Sequence, residues 1–153
     1  MTGQAASYEP VILLVEDNAS DLELTLRALK RSSIGNRVVA VRDGAAAIDY
    51  LFAQGAYAGR DLKEVPQVVL LDLNLPKIGG LEVLRRIRAD ERTKLLRVVI
   101  LTSSSEDKDL IGGYDSGANS YIVKPVDFTK FAEAVRQLGI YWMVRNLPAP
   151  IKP

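Results

Sequence analysis

The chain has 153 residues, 48% hydrophobic and 25% charged, which suits one globular domain with a full core and leaves little room for a second. With 20 basic and 19 acidic residues the net charge is +1, so nothing in the balance calls for nucleic acid or an anionic membrane. Cysteine and histidine are both absent, which removes disulfides, thiol chemistry and imidazole as base, metal ligand or phosphate carrier, and leaves carboxylates, hydroxyls and amines to do any chemistry.

Residues 1–9 form a polar lead with neither a basic start nor a hydrophobic stretch. No apolar run approaches the roughly 18 residues needed to span a membrane, so a cytoplasmic protein is expected. No repeat, Walker phosphate loop or dinucleotide-binding glycine fingerprint is present. Val11 to Val15 is an apolar run of strand length that ends in Glu16, Asp17 and Asn18. Ser20-Asp21-Leu22-Glu23 has capping-box spacing, and Leu22, Leu26 and Leu29 predict a helix up to Lys30 and Arg31. After Gly35 and Asn36, Arg37 to Val41 reads as a second strand. Asp43 then caps a helix whose Ala47, Ile48, Leu51 and Phe52 face the sheet. The connection from Gly55 to Pro66, with its charged Arg60 to Glu64 stretch, reads as a solvated loop.

Val68, Val69, Leu70 and Leu71 form an unbroken apolar run, the pattern of a central strand buried on both faces, and it ends in Asp72. A carboxylate at the carboxyl end of such a strand is either a cap for the following loop or a site residue, because ligands bind at that edge of open α/β sheets. The loop Asn74 to Gly80 leads into a helix marked by Leu81, Leu84, Ile87 and Arg88, with a basic outer face. Arg97 to Leu101 is another apolar run, followed by Thr102 and three serines. Glu106 and Asp107 open a helix containing Gly112 and Gly113, which weaken it by roughly 1 kcal/mol each and mark either mobility or close packing. Asn119 to Val123 is the last predicted strand, stopped by Lys124-Pro125. Asp127 caps a helix through Phe131, Val135 and Leu138 that Gly139 ends or bends.

About five strands alternating with about five helices predict an α/β domain, a doubly wound parallel sheet covered on both faces. The flavodoxin-like order 2-1-3-4-5 is adopted as the common order for such sheets. It gathers Glu16, Asp17, Asp72, Thr102 and Lys124 at one crevice. Three carboxylates there would repel unless a cation joined them, and Mg²⁺ takes carboxylate, carbonyl and water oxygens. Metal, lysine and hydroxyl around an exposed carboxylate suit phosphoryl transfer with Asp72 as nucleophile, while a structural cation site is the plainer alternative.

Val-Glu-Asp-Asn at 15–18, Leu-Asp-Leu-Asn-Leu-Pro at 71–76 with Gly79-Gly80, Leu-Thr-Ser-Ser at 101–104 and Tyr-Ile-Val-Lys-Pro at 121–125 occur in that order. In these stretches the chain resembles the receiver domain of two-component response regulators, from about Val11 to Leu138. The resemblance implies a receiver domain over 10–146 and a tail over 147–153. It implies that Asp72 accepts phosphate, that Asp17, Asp72 and the Asn74 carbonyl bind Mg²⁺, and that Glu16 acts on the metal through water. Thr102 would grip the phosphoryl oxygen, Lys124 would pair with it, and Tyr121 would turn inward as Thr102 moves. A cis Lys124-Pro125 bond is implied as well.

Without histidine the chain must take its phosphate from a partner, a sensor histidine kinase. The chain stops before a DNA-binding output could form, so a stand-alone receiver that signals through its own surface is expected. The run Gly-Ile-Tyr-Trp-Met-Val at 139–144 resembles regulators paired with bacterial and cyanobacterial phytochromes. Its apolar residues, Tyr141 and Trp142 included, either cover the core or dock a second copy as a homodimer. A haloacid-dehalogenase-like phosphatase shares the nucleophile, hydroxyl, lysine and Mg²⁺, but it wants an acid two residues after the nucleophile, where this chain has Asn74. A receiver-type dimer that signals without phosphate is a third reading, which the complete acid set does not favour.

Overall fold

The computed structural model describes residues 11–31, 37–103 and 117–140. Five strands, β1 (Val11–Val15), β2 (Arg37–Val41), β3 (Val68–Asp72), β4 (Val98–Thr102) and β5 (Ser120–Val123), form one parallel sheet in the order β2-β1-β3-β4-β5. The described helices are α1 (Ala19–Arg31), α2 (Gly44–Leu51), α3 (Gly80–Ala89) and α4 (Phe128–Gln137), with a short 3₁₀ turn at Gly55–Tyr57. The helix expected from Glu106 and the C-terminal face with Tyr141 and Trp142 lie outside the described residues.

The expected doubly wound sheet follows from the apolar runs. Every residue of β1, β3 and β4 is buried, as required of strands covered on both faces, whereas the edge strands β2 and β5 keep partly exposed positions. Alternation along the strands divides the core in two. Leu13, Val15, Val69, Leu71, Val98 and Ile100 pack with α2 and α3, and Ile12, Leu14, Leu70, Val99, Leu101 and Ile122 pack with α1 and α4.

Local chemistry sets the helix ends. Asp43 Oδ1 accepts from Ala46 N at 2.7 Å and Asp127 Oδ1 from Lys130 N at 2.8 Å, as their positions predicted. Gly139, at φ +75°, ends α4: its N–H donates to Arg136 O and that of Ile140 to Val135 O, the reciprocal pattern of a glycine terminus.

Three expectations need correction. The cap of α1 is Asn18, whose Oδ1 accepts from Asp21 N at 2.9 Å, so Ser20 lies inside the helix; Asn18, directly before the first helical residue, reaches the first free N–H groups sooner than Ser20. The buried face of α1 runs through Thr25, Ala28 and Leu29, and Leu26 is turned outward. Arg60 is not simply solvated. Its guanidinium donates to the carbonyls of Tyr50, Leu51 and Glu64 and lies over the Tyr50 ring, so a planar donor fork binds the connection back onto the end of α2.

Candidate functional site

The strand register brings the candidate residues to one edge. Val15 pairs with Leu71, which puts Glu16 beside Asp72, and Asp72 pairs with Leu101, one residue before Thr102. Thr102 pairs with Val123, and its carbonyl accepts from Lys124 N at 2.7 Å. Continuing the strand alternation, Glu16, Asp72 and Lys124 fall on the α1/α4 side of the sheet, and Thr102 falls with Tyr121 on the α2/α3 side. Tyr121 is half-buried and packs against the core cluster on that side. The Lys124-Pro125 bond is cis, as the resemblance implied.

Asp72 is nearly buried, and both of its oxygens are engaged. Oδ1 accepts from the Asn74 backbone N–H at 2.9 Å and Oδ2 from Lys124 Nζ at 2.7 Å. The loop that supplies the Asn74 donor is held tightly. A Cβ on Gly80 would run into the Asp72 carbonyl oxygen and the Leu73 backbone, so only glycine lets α3 start this close to the loop. Sequence reading took Gly79-Gly80 as loop signal and missed this contact.

Lys124 Nζ lies 3.0 Å from Glu16 Oε1 and 3.0 Å from Asp21 Oδ2 in addition to its bond with Asp72. Three carboxylates thus surround one ammonium. Asp21 was not anticipated as a member, since an acid in the first turn of a helix is explained by the dipole alone. Burial of the ammonium lowers its pKa, but bonds to Asp72, Glu16 and Asp21 outweigh that cost and hold it above its ordinary value. The Glu16 pKa also rises, which here favours the neutral form. Burial and then its contact with Asp72 raise its pKa to about 7, against the lowering pull of Lys124 and of the Asn18 N–H.

Glu16 Oε1 is fully buried and lacks a well-directed hydrogen bond, although the Lys124 ammonium is close. An oxygen in that state suits a cation, and carboxylates with a backbone carbonyl are the donors that Mg²⁺ or Mn²⁺ accepts. Asp17 stands at the same edge with an exposed side chain, and its carbonyl accepts from Arg42 Nη2 at 2.7 Å. Among the described residues no three acids are spaced as a ready metal cluster; the convergence is on Lys124.

Residues 12–136 match the response regulator receiver domain model. The chain belongs to the response regulator receiver family. Among its curated relatives, the probable methanogenesis regulatory protein FilR2 of Methanothrix harundinacea is 43% identical, over 89% of this chain and 85% of that one. Response regulator Rcp1 of Synechocystis is 38% identical, over 91% of this receiver and 93% of its own length. A crystal structure of the Mn(2+)-bound form of Rcp1 superimposes with a TM-score of 0.71 at 36% identity, covering 93% of this receiver and 99% of that chain. The bacteriophytochrome response regulator RtBRR superimposes with a TM-score of 0.83 at 50% identity, covering 93% and 85%. The protein is therefore a receiver-domain response regulator related to phytochrome response regulators. Among the described residues no helix is long and apolar enough to cross a membrane.

Proposed function

We propose that this receiver is a phosphorylation-controlled switch that takes a phosphoryl group from a sensor histidine kinase onto Asp72. The observation that carries the reading is the Asp72 carboxylate, held by one backbone N–H at 2.9 Å and one ammonium at 2.7 Å at the carboxyl edge of the sheet. A bond from an Asp72 oxygen to phosphorus forms as the donor's P–N bond breaks, and the electron pair leaves with the imidazole of the kinase. The transferred group spreads negative charge over three oxygens. Lys124 supplies a fixed positive charge to one of them, and the Thr102 hydroxyl offers a donor to another. Glu16, Asp17, Asp72 and the Asn74 carbonyl would hold Mg²⁺, which supplies charge neutralisation when bound.

Occupancy of Asp72 changes the conformation only if Lys124 and Thr102 bind the phosphoryl group better in one conformer than in the other. Tyr121 would follow Thr102, a role supported by its packing beside the core on the same side of the sheet. The chemistry is a phosphoacceptor's, with transfer to itself and slow loss, and Asn74 lacks the acid that sustained phosphatase turnover needs. The likeness to the bacteriophytochrome response regulator RtBRR supports a phytochrome-type kinase as the donor, and the cytoplasm is the proposed compartment. A homodimer through the face that includes Tyr141 and Trp142 is the proposed assembly through which the switch acts.

Incubation with acetyl phosphate and Mg²⁺ adds one phosphate to the intact chain by mass spectrometry, and Asp72→Asn abolishes it. A wild-type chain that gains no phosphate ends this reading. Sedimentation with and without beryllofluoride tests the assembly separately.

A further inference from the structure

An ammonium has three N–H bonds to give, and Lys124 faces three carboxylates with them: Asp72 Oδ2 at 2.7 Å, Glu16 Oε1 at 3.0 Å and Asp21 Oδ2 at 3.0 Å. The first two stand at the ends of β3 and β1. The third comes from the first turn of α1, where Asn18 fixes it by accepting from Asp21 N through its side chain and from Leu22 N through its carbonyl, each at 2.9 Å. The Asp21 side chain is 33% exposed, against 5% for Asp72 and 0% for Glu16, so it stands at the mouth of the site with the ammonium behind it.

We infer that Asp21 is a positioning residue that holds part of the Lys124 charge away from Asp72 and so restrains phosphoryl transfer, an inference that rests on the function proposed above. A phosphoryl oxygen that comes to Lys124 competes with these carboxylates for the ammonium, which hydrogen-bonds Asp72 and Asp21 and pairs with Glu16 by charge. Glu16 is buried and has no water to turn to, so losing the lysine leaves its carboxylate more poorly compensated. Asp21 reaches solvent and gives up its bond at least cost. Its carboxylate competes with the incoming group for the lysine and also repels that group's negative charge. Transfer to Asp72 then releases the first turn of α1 from the site, which links the occupancy of Asp72 to a helix on the outside of the sheet.

The test compares wild type, Asp21→Asn and Asp21→Glu for the rate of phosphate uptake from acetyl phosphate with Mg²⁺, and for binding of beryllofluoride in the same buffer. Asp21→Asn is expected to gain phosphate about three- to tenfold faster and to bind beryllofluoride tighter by a similar factor, as removal of one nearby like charge predicts. Asp21→Glu, which keeps the charge, stays within about twofold of wild type. The advantage of the asparagine variant shrinks as ionic strength rises, a response that mere loosening of α1 does not produce. Asp21→Ser is carried alongside with the same expectation, in case the asparagine variant fails to fold. Neutral variants that are folded yet no faster than a wild type that takes phosphate overturn the inference alone; a wild type that takes none overturns the proposed function and this inference with it.

Discussion

Two cations sit at opposite edges of the same sheet, and they are bound in different ways. At the carboxyl edge Lys124 is ringed by the carboxylates of Asp72, Glu16 and Asp21. At the amino edge of β4 and β5, Arg88 donates to the carbonyls of Gly117, Lys94 and Leu96 and to Asn119 Oδ1, at 2.7–3.0 Å. Its pKa is lowered by burial, because neutral dipoles around it do not repay the loss of water as full charges do around Lys124. The partners of Arg88 cannot change their charge, so its cluster has one stable arrangement. Those of Lys124 are carboxylates whose charge alters with a proton, a metal ion or a phosphoryl group. One edge is built to stay, and the other to respond.

The sharpest way to break this contrast is to remove each cation in turn. Lys124→Met is expected to slow phosphate uptake from acetyl phosphate by about a hundredfold, the usual cost of losing one electrostatic donor at a reacting centre, while cooperative unfolding is retained. Arg88→Met should do the reverse. It removes the donors of the Gly117, Lys94 and Leu96 carbonyls and leaves the Asn119 amide oxygen with the Val98 N–H alone, and a loss of about 3 kcal/mol in urea unfolding is expected, with phosphate uptake by the folded fraction near wild type. Should Arg88→Met slow uptake as severely as Lys124→Met, the two edges are not separable in this way.

How far each cluster could be read beforehand follows from what carries its signal. The strands were legible because Val11–Val15, Val68–Leu71 and Val98–Leu101 are continuous apolar runs, and burial on both faces permits nothing else. Asp72 and Lys124 were legible because each directly follows or ends a strand, so the topology alone brings them together. Asp21 was not, since its reach to Lys124 across 103 residues depends on how α1 is set by Asn18. Arg88 was read with a basic outer face of α3 and instead turns to the backbone of two other segments, at Lys94 and Leu96 before β4 and at Gly117 before β5. A guanidinium's target carbonyls carry no side-chain identity, so no residue pattern announces them. The same reason hid Arg60. The roles of Asp17, Thr102 and Tyr121 rest on the family resemblance, and the structure adds their placement at the edge or on the α2/α3 side.

The smallest expected effect is a pH dependence, and it comes from the charge-sensitive edge alone. Glu16 has a pKa of about 7 in the folded chain, raised by burial and by Asp72, against an ordinary value of 4.5. Between those values the folded chain keeps a proton that the unfolded chain has released, so stability falls as pH rises from about 4.5 to about 7. The loss is at most on the order of 3 kcal/mol, fully avoided below the unfolded value and complete above the folded one. Glu16→Gln removes the ionisation and should flatten this part of the stability curve, measured by urea unfolding at closely spaced pH without divalent metal. Mg²⁺ favours the ionised carboxylate, so its stabilisation of the wild type should grow across the same window. Arg88→Met lies far from this group and should lower the whole curve without changing its slope. A slope that survives Glu16→Gln would mean that the strain at this edge belongs to another acid.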